Sequence, residues 1–459
     1  MAMLNTLYLP ELREMLAENK TEDLREFCTA LHPARTAEFM EGLRADEAWA
    51  VLRHAPLPVR AEIFSYFARE RQVEIMGEGD RGEIAQLIGQ LAPDDRVDIL
   101  KAVAPALLDE LLPLVPAAER RDILRLKAYP EHTAGAVMTT EFARLAPHLT
   151  VREALEELGK QAAELETIYY IYLLDDQGHL EGLVSARQLL SAIGKPDTPV
   201  AELMEQDLLT VSVEDDQEEV AKKVARFDLL AIPVVDQEHR MLGIITHDDV
   251  MDVVVDEATE DAHRMGGLTP LAESYLEMRF GEVWRKRAAW LSLLFLAELF
   301  TFSALAHYEA AIAQIISLSL FVPLCISTGG NSGSQAATLI TRAIALGQVT
   351  PRIWWRVLRH ELLMGLALGV TLGAIGFVRA VLTPQHVLHE ASRWQFALVI
   401  SQAVAAICLW GTIIGSMLPL VFKRLGVDPG FASSPFVATF VDVTGIIIYF
   451  QIAHLYLPL

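Results

Sequence analysis

Five apolar stretches fill the chain after Val283, at about 288–306, 311–346, 357–382, 395–422 and 435–457. Each reaches the roughly 20 residues that a helix needs to cross a bilayer. Backbone in hydrocarbon must satisfy its own hydrogen bonds, which confines this part of the chain to packed α-helices. The last stretch, Pro435–Tyr456, contains Asp442. A charge at mid-span costs about 2.5 kcal/mol or more, so it is kept for a task. Glu298 is the other acid well inside a span. Ser434, Ala438 and Asp442 follow i, i+4, i+8 and share one narrow face, small-walled until it meets the carboxylate. No lysine or arginine occupies a span centre to pair with Asp442. That favours ion binding over an internal ion pair or a lone proton relay.

The second stretch holds the run Phe321-Val-Pro-Leu-Cys-Ile-Ser-Thr-Gly-Gly-Asn-Ser-Gly-Ser-Gln335. One proline and three glycines weaken a helix, so a break is expected here. Broken helices present carbonyls and side-chain oxygens to ions in transporters. Gly329, Gly330, Asn331 and Gln335 are therefore candidate pore-lining residues. Small residues also let a neighbouring helix approach closely. Asn331 and Gln335 lie one turn apart, and packing alone does not call for them.

Charge is divided unevenly. Six of the 61 acids but eleven of the 38 bases follow Val283, leaving −28 before that point and +5 after it. So acidic a body repels nucleic acid and anionic headgroups; its partners are cations. The basic clusters Arg285–Arg287, Arg342–Arg359 and Lys423–Arg424 fall on one side if the N-terminus is cytoplasmic. Five spans then leave the C-terminus outside. Cys28, Cys325 and Cys408 are far apart, with neither a disulfide framework nor a zinc spacing. The first 16 residues lack the apolar core of a secretory leader. His307, His386 and His389 read as solvated loop residues. No phosphate loop or other catalytic constellation stands out, so the chain is not expected to be an enzyme.

Residues 20–130 show helical spacing, punctuated by units opening on Pro58, Pro93 and Pro116, each followed by acids. Proline suits a first helical turn, and acids favour a helix N-terminus. A superhelix of short stacked helices is expected. A second repeat occupies about 138–255. Each copy has an acidic helix (Val151–Lys160, Asp216–Arg226), a β-rich segment (Ile168–Leu174, Ala231–Val235) and a Gly-led strand at Gly182 or Gly243. This resembles a pair of cystathionine-β-synthase (CBS) modules, some of which bind adenine nucleotides beside an S/T-x-x-D/N motif. Thr246-His-Asp-Asp249 matches it, whereas the first copy reads Ser185-Ala-Arg-Gln188. The nucleotide-binding candidates are Tyr170, Arg187, Thr246 and Asp249, with a purely structural dimer module as the alternative.

Acids recur at spacings of three and four at Asp249, Asp252, Asp256 and Glu260, with Asp94 and Asp98 as a further pair and Asp215, Asp216, Glu218 and Glu219 clustered. Taken singly, such runs are usually a solvated face. Two carboxylates about 6 Å apart nevertheless repel by roughly 3 kcal/mol at an effective dielectric near 20. Divalent ions bridging two such gaps would supply about 5–6 kcal/mol, enough to swing a two-state equilibrium from about 1:99 to 99:1.

With these pieces in order the chain resembles the MgtE family of bacterial magnesium channels. The resemblance rests on Glu166-Thr-Ile-Tyr-Tyr-Ile-Tyr, Asp216-Gln-Glu-Glu-Val, Ala258-Thr-Glu-Asp, Gly329-Gly-Asn-Ser-Gly-Ser-Gln and Asp442-Val-Thr-Gly. It implies a multi-domain inner-membrane protein: a helical N domain (1–132), a CBS pair (133–255), a connecting "plug" helix (256–283) and a five-helix pore domain (284–459). It further implies a homodimer in the lipid bilayer, Mg²⁺ as the ion, ATP as a CBS ligand, and a pore ion site at Asp442, Ala438 and Ser434. Regulatory Mg²⁺ sites map onto Asp94, Asp98, Asp216, Glu218, Asp228, Asp249, Asp252, Glu260, Asp261 and Asp428, closing the channel when cytosolic Mg²⁺ is high. The competing readings are a broader Co²⁺/Mn²⁺ transporter with nucleotide-sensing CBS modules and a membrane-anchored nucleotide sensor without transport. Chloride conflicts with the carboxylate in the last span.

Overall fold

The computed structural model describes residues 6–162, 165, 167–271, 275, 278–388 and 392–457; Glu166 and His389 lie outside them. The chain divides after Val255 into two compact units.

The first unit opens with short helices at Leu9–Ala17, Thr21–Ala30, Pro33–Met40, Ala45–Leu52, Leu57–Ser65, Arg69–Glu78, Arg81–Gln90, Pro93–Ala102, Pro105–Leu111 and Ala117–Leu126, numbered α1 to α10. Prolines stand in the first turns of α3, α5, α8 and α9, where a missing N–H leaves no intrahelical bond unmade. Each helix is too short to be stable alone, so stacking on its neighbours decides the fold. Two three-stranded sheets follow. The first holds β1 (Ala143–Leu145), β2 (Tyr170–Leu174) and β3 (Leu180–Ser185); the second holds β4 (Val211–Ser212), β5 (Ala231–Val235) and β6 (Met241–Thr246). In both, the first pair is parallel and the second antiparallel. Helices α11 (Val151–Gln161) and α12 (Ala186–Ser191) belong to the first copy, α13 (Gln217–Phe227) to the second, and α14 (His247–Met265) follows β6. The two hairpin turns join each other: Leu180 N–H donates to His239 O at 3.1 Å and Met241 N–H to Gly178 O at 3.0 Å. One apolar core runs from α1–α10 into the second copy through Val220, Val224, Ile232 and Ile245.

The second unit contains α15 (Phe280–His307), α16 (Glu309–Gln314), α17 (Ser317–Ala345), α18 (Trp354–Val381), α19 (Gln385–Leu388), α20 (Arg393–Arg424) and α21 (Ser434–Tyr456). Among the described residues, four helices are long and apolar enough to cross a membrane: α15, α18 with its preceding turn, α20 and α21. The remaining expected span is α17, about 43 Å long at 1.5 Å per residue, whose polar run lowers its apolarity.

Two expectations need correction. The expected break at Phe321–Gln335 is absent, because α17 is continuous through Pro323 and all three glycines; the chain is interrupted upstream, at Ile315–Ile316. Close packing explains the glycines. A Cβ on Gly333 would lie 2.9 Å from Gly411 O, and one on Gly411 would lie 2.9 Å from Ser332 Oγ. Here α17 and α20 meet backbone to backbone. The connecting helix also does not extend to residue 283: α14 ends at Met265, where Gly267 adopts φ +74° and Leu268 N–H donates to His263 O at 2.8 Å.

Gly415 faces the carbonyl of Gly333 at this crossing. Gly415→Ala is expected to force α17 and α20 apart and cost about 2 kcal/mol, in the usual range for overpacking. Gly159→Ala, on an open stretch of α11 with nothing near the added methyl, should stabilise slightly. Thermal melts of the two variants in detergent check the contrast, and equal midpoints would contradict it.

Candidate functional site

The crossing at Gly329 and Gly333 turns a second face of α17 towards α21. Tyr449 OH donates to Leu318 O at 2.9 Å, Trp410 Nε1 donates to Thr444 Oγ1 at 2.9 Å, and Tyr308 stacks on Phe450, which together fix α21 in place. Ser334 Oγ donates to Ser434 O at 3.1 Å where α21 begins. Beside it lies an open groove of about 430 Å³ lined by Ser334, Gln335, Thr338, Leu339 and Ser434.

Asp442 stands two turns along the same side of α21. A Cβ on Gly330 would lie 3.5 Å from both Asp442 Oδ1 and Ala438 Cβ, so the glycine leaves the carboxylate uncovered. Gly329 is placed differently from expectation: it is buried, with a built Cβ 2.8 Å from Val441 Cγ1 and 3.1 Å from Ile407 O, and it serves packing rather than the open face. Asn331 and Gln335 are exposed on that face, and Asn331 Nδ2 donates weakly to Ser327 Oγ at 3.4 Å. Asp442 is half-buried, and among the described residues no ion pair or hydrogen bond engages it; Glu298 on α15 adds a repulsive charge.

A second acidic centre surrounds the end of α14. Arg264 pairs with Glu260 one turn earlier and with Asp428, whose other oxygen accepts Gly430 N–H at 2.7 Å. A Cβ on Gly430 would fall 2.8 Å from the Cβ of Arg264, so the turn before α21 packs on this side chain. Asp261 lies 4.0 Å from Arg342 at the end of α17. Glu260 and Asp428, both ligands that the resemblance implies, are here brought together around a guanidinium that sequence reasoning overlooked.

The third centre joins α8 to the start of α14. Burial, followed by the charges of Asp98, Asp252 and Asp248, pushes the Asp95 carboxyl above its ordinary range, with Arg69 opposing. Burial pushes Asp249 up to about 6 and Asp248 adds to this, while hydrogen bonds from Thr246 and Asp94 oppose it. Asp98 is held by Arg69 at 3.0 Å and Lys101 at 3.3 Å. The facing partners Asp95 and Asp248 were not singled out from sequence, although each sits beside a residue that was.

The other expected ligands have structural duties. Asp216 caps α13 by accepting Glu218 N–H at 2.9 Å, Glu218 pairs with Lys222 at 3.1 Å, and Asp228 ends that helix at φ +50°. Of the nucleotide candidates, Tyr170 opens β2, Arg187 is exposed on α12, and Thr246 Oγ1 donates to Asp249 Oδ2 at 2.5 Å. Gln188 makes the equivalent contact, accepting Ser185 Oγ–H at 2.7 Å. The first copy closes as a reciprocal capping box, and in the second Asp249 accepts from both the backbone N–H and the hydroxyl of Thr246.

Because the folded value for Asp249 lies above its ordinary 3.8, its ionised form is disfavoured in the fold. Stability should rise as pH falls through about 6 towards 4, and be lost as pH rises through that window. Asp249→Asn keeps an oxygen acceptor for Thr246. It should raise the melting midpoint at pH 7.5 without divalent cations and flatten the difference between pH 5 and 7.5; identical pH profiles would exclude this strain.

Family models match three parts of the chain: the MgtE intracellular N domain at residues 31–132, CBS domains at 134–195 and 200–256, and the MgtE divalent cation transporter at 322–452. The magnesium transporter MgtE of Thermus thermophilus is 37% identical, over 97% of this chain and 98% of its own length. That of Enterococcus faecalis is 34% identical over 74% of this chain and 72% of its own. A crystal structure of the soluble part of a magnesium transporter, 33% identical, covers 54% of this chain and 97% of its own at a TM-score of 0.51. One of the cytosolic domain of the Mg²⁺ channel MgtE in complex with ATP, 37% identical, covers 53% and 98% at 0.50. With acidic helices before an apolar bundle, and a carboxylate open on one face of that bundle, the chain belongs to the MgtE family of divalent cation transporters.

Proposed function

We propose that this chain is a Mg²⁺ channel whose ion path follows the shared face of α17 and α21, with Asp442 as its ion site. The observation that carries this reading is a mid-span carboxylate, uncovered by Gly330, with no protein cation paired to it among the described residues. Mg²⁺ keeps its waters and meets proteins through one or two carboxylates. The small wall at Ala438 and Ser434 and the amides of Asn331 and Gln335 suit a hydrated ion. The exposed α17 face becomes a closed path when a second copy doubles it, so the working form is a homodimer. Mg²⁺ moves down its gradient, aided by about 2.3 kcal/mol per charge per 100 mV of inside-negative potential.

Closure uses the acids on α8 and α14. Ions drawn between Asp94–Asp98 and Asp249–Asp252 offset the burial, and the smaller like-charge repulsion, that raise Asp95 and Asp249. Arg264 is a tethered cation that holds Glu260 against Asp428 without a mobile ion. ATP is the proposed CBS ligand, at Thr246 and Asp249 of the second copy, in line with the nucleotide in the similar cytosolic domain. The domain bounds follow as an N domain to 132, the CBS pair to 255 and a pore domain from 284.

Mg²⁺ entry into dye-loaded proteoliposomes tests the pore. Asp442→Asn should lower the rate at least tenfold; unchanged flux would move the ion site elsewhere, and equal Co²⁺ or Mn²⁺ flux would favour a broad divalent transporter. In the same assay Arg264→Gln should raise the Mg²⁺ needed on the CBS side for half-closure severalfold. An unshifted curve would leave Arg264 outside the gate.

A further inference from the structure

The turn before α18 and its first two turns carry Arg352, Trp354, Trp355, Arg356 and Arg359, all exposed. Arg356 and Arg359, three apart, share one stripe of α18, and Arg352 stands in the 3-10 turn Pro351–Ile353 that leads into it. Arg342 nearby is tied to Asp261, whereas these three enter no ion pair or side-chain hydrogen bond among the described residues. Their stripe is continued by Leu363, Leu366 and Val370, which are 65%, 56% and 62% exposed. The opposite face of α18 is the one that packs, burying Val357, Glu361, Gly365, Gly369 and Gly373, with the last three glycines against α20. The arginines therefore lie in line with the apolar face that meets lipid, not with a face that meets protein.

Depth agrees with direction. From Arg359 to Arg379 the helix rises about 30 Å at 1.5 Å per residue, the thickness of the hydrocarbon core. Arg359 thus marks the cytoplasmic edge of the hydrocarbon, and the preceding turns lie in the headgroup layer. Tryptophan favours that layer, and Trp354 and Trp355 are 47% and 60% exposed within it. A guanidinium presents a planar fork that fits phosphate oxygens two at a time. The chain after Val283 carries a net +5 while the part before it is strongly negative, so charge complementarity selects an anionic partner here.

We propose that Arg352, Arg356 and Arg359, flanked by Trp354 and Trp355, form a binding site for the phosphate headgroup of an anionic phospholipid in the cytoplasmic leaflet. The site holds the entrance of α18 at a fixed depth, and through the α18–α20 glycine contacts it also holds the bundle. It rests on α18 crossing the membrane and is independent of which ion is carried.

The test titrates phosphatidylglycerol or phosphatidylcholine into the full-length protein in detergent and reads bound lipid by native mass spectrometry. The wild type should bind phosphatidylglycerol in preference. A variant carrying R352Q, R356Q and R359Q should bind it on the order of 100-fold more weakly, since each basic residue at an anionic surface contributes about fivefold. A charge-matched variant with R285Q, R287Q and K423Q should stay within about threefold of the wild type. Equal wild-type binding of the two lipids overturns the proposal, because that comparison needs no variant. So does equal weakening in the charge-matched variant, which would mean general positive potential rather than a site. Displacement of phosphatidylglycerol by millimolar inorganic phosphate would assign the stripe to free anions instead of lipid.

Discussion

The backbone contact between α17 and α20 is the constraint on which the membrane unit depends. Gly329 and Gly333 on one helix and Gly411 and Gly415 on the other leave no room for a side chain between them. Without a hydrophobic driving force between helices in lipid, such approach replaces burial as the source of packing energy. It also frees the rest of α17. A helix anchored along a side-chain-free seam can spend its remaining faces on polar groups, and Asn331, Gln335 and the gap at Gly330 occupy them. Asp442 is presented because α21 leans on that second face and is tied there by Tyr449 and Trp410.

Much of this was legible in the sequence, for reasons that differ from residue to residue. Helical periodicity located the short-helix array, because those helices bury one side, and the CBS copies were legible as repeated β-rich runs, although Ala231–Val235 is buried throughout. Asp442 was legible because the bilayer makes a mid-span charge conspicuous. The state of α17 was not. Proline and glycine carry the same penalties whether a helix breaks or packs, and only its neighbours at Gly411 and Gly415 decide between the two. The same run therefore contained both outcomes: Gly329 packs, while Gly330, one residue on and 100° round the helix, faces Asp442. The end of α14 was likewise set by a detail of backbone, the left-handed Gly267 against Trp290 and Ser433.

Pairs that form only through tertiary packing were hidden as well. Sequence spacing identifies carboxylates that repel along one helix, such as Asp94 and Asp98, but not those that repel across two. Asp95 feels Asp248 and Asp252 although they stand more than 150 residues away in sequence, and nothing in the local sequence of either helix announces that. Arg264 was passed over because a basic residue near a helix C-terminus already has an ordinary explanation in the helix dipole.

The three acidic centres are distinguished by what neutralises them, and that decides which can respond to an ion. Glu260 and Asp428 have a tethered guanidinium, whose local concentration no change in the cytosol can alter. Asp98 is similarly occupied by Arg69 and Lys101. Asp249 has hydrogen-bond donors but no basic partner among the described residues, and burial holds its carboxyl above the ordinary range. A centre that is already neutralised is stable and unresponsive, whereas one that is strained gains most from a mobile cation. In the function proposed above, sensing accordingly rests with Asp95 and Asp249 and permeation with Asp442.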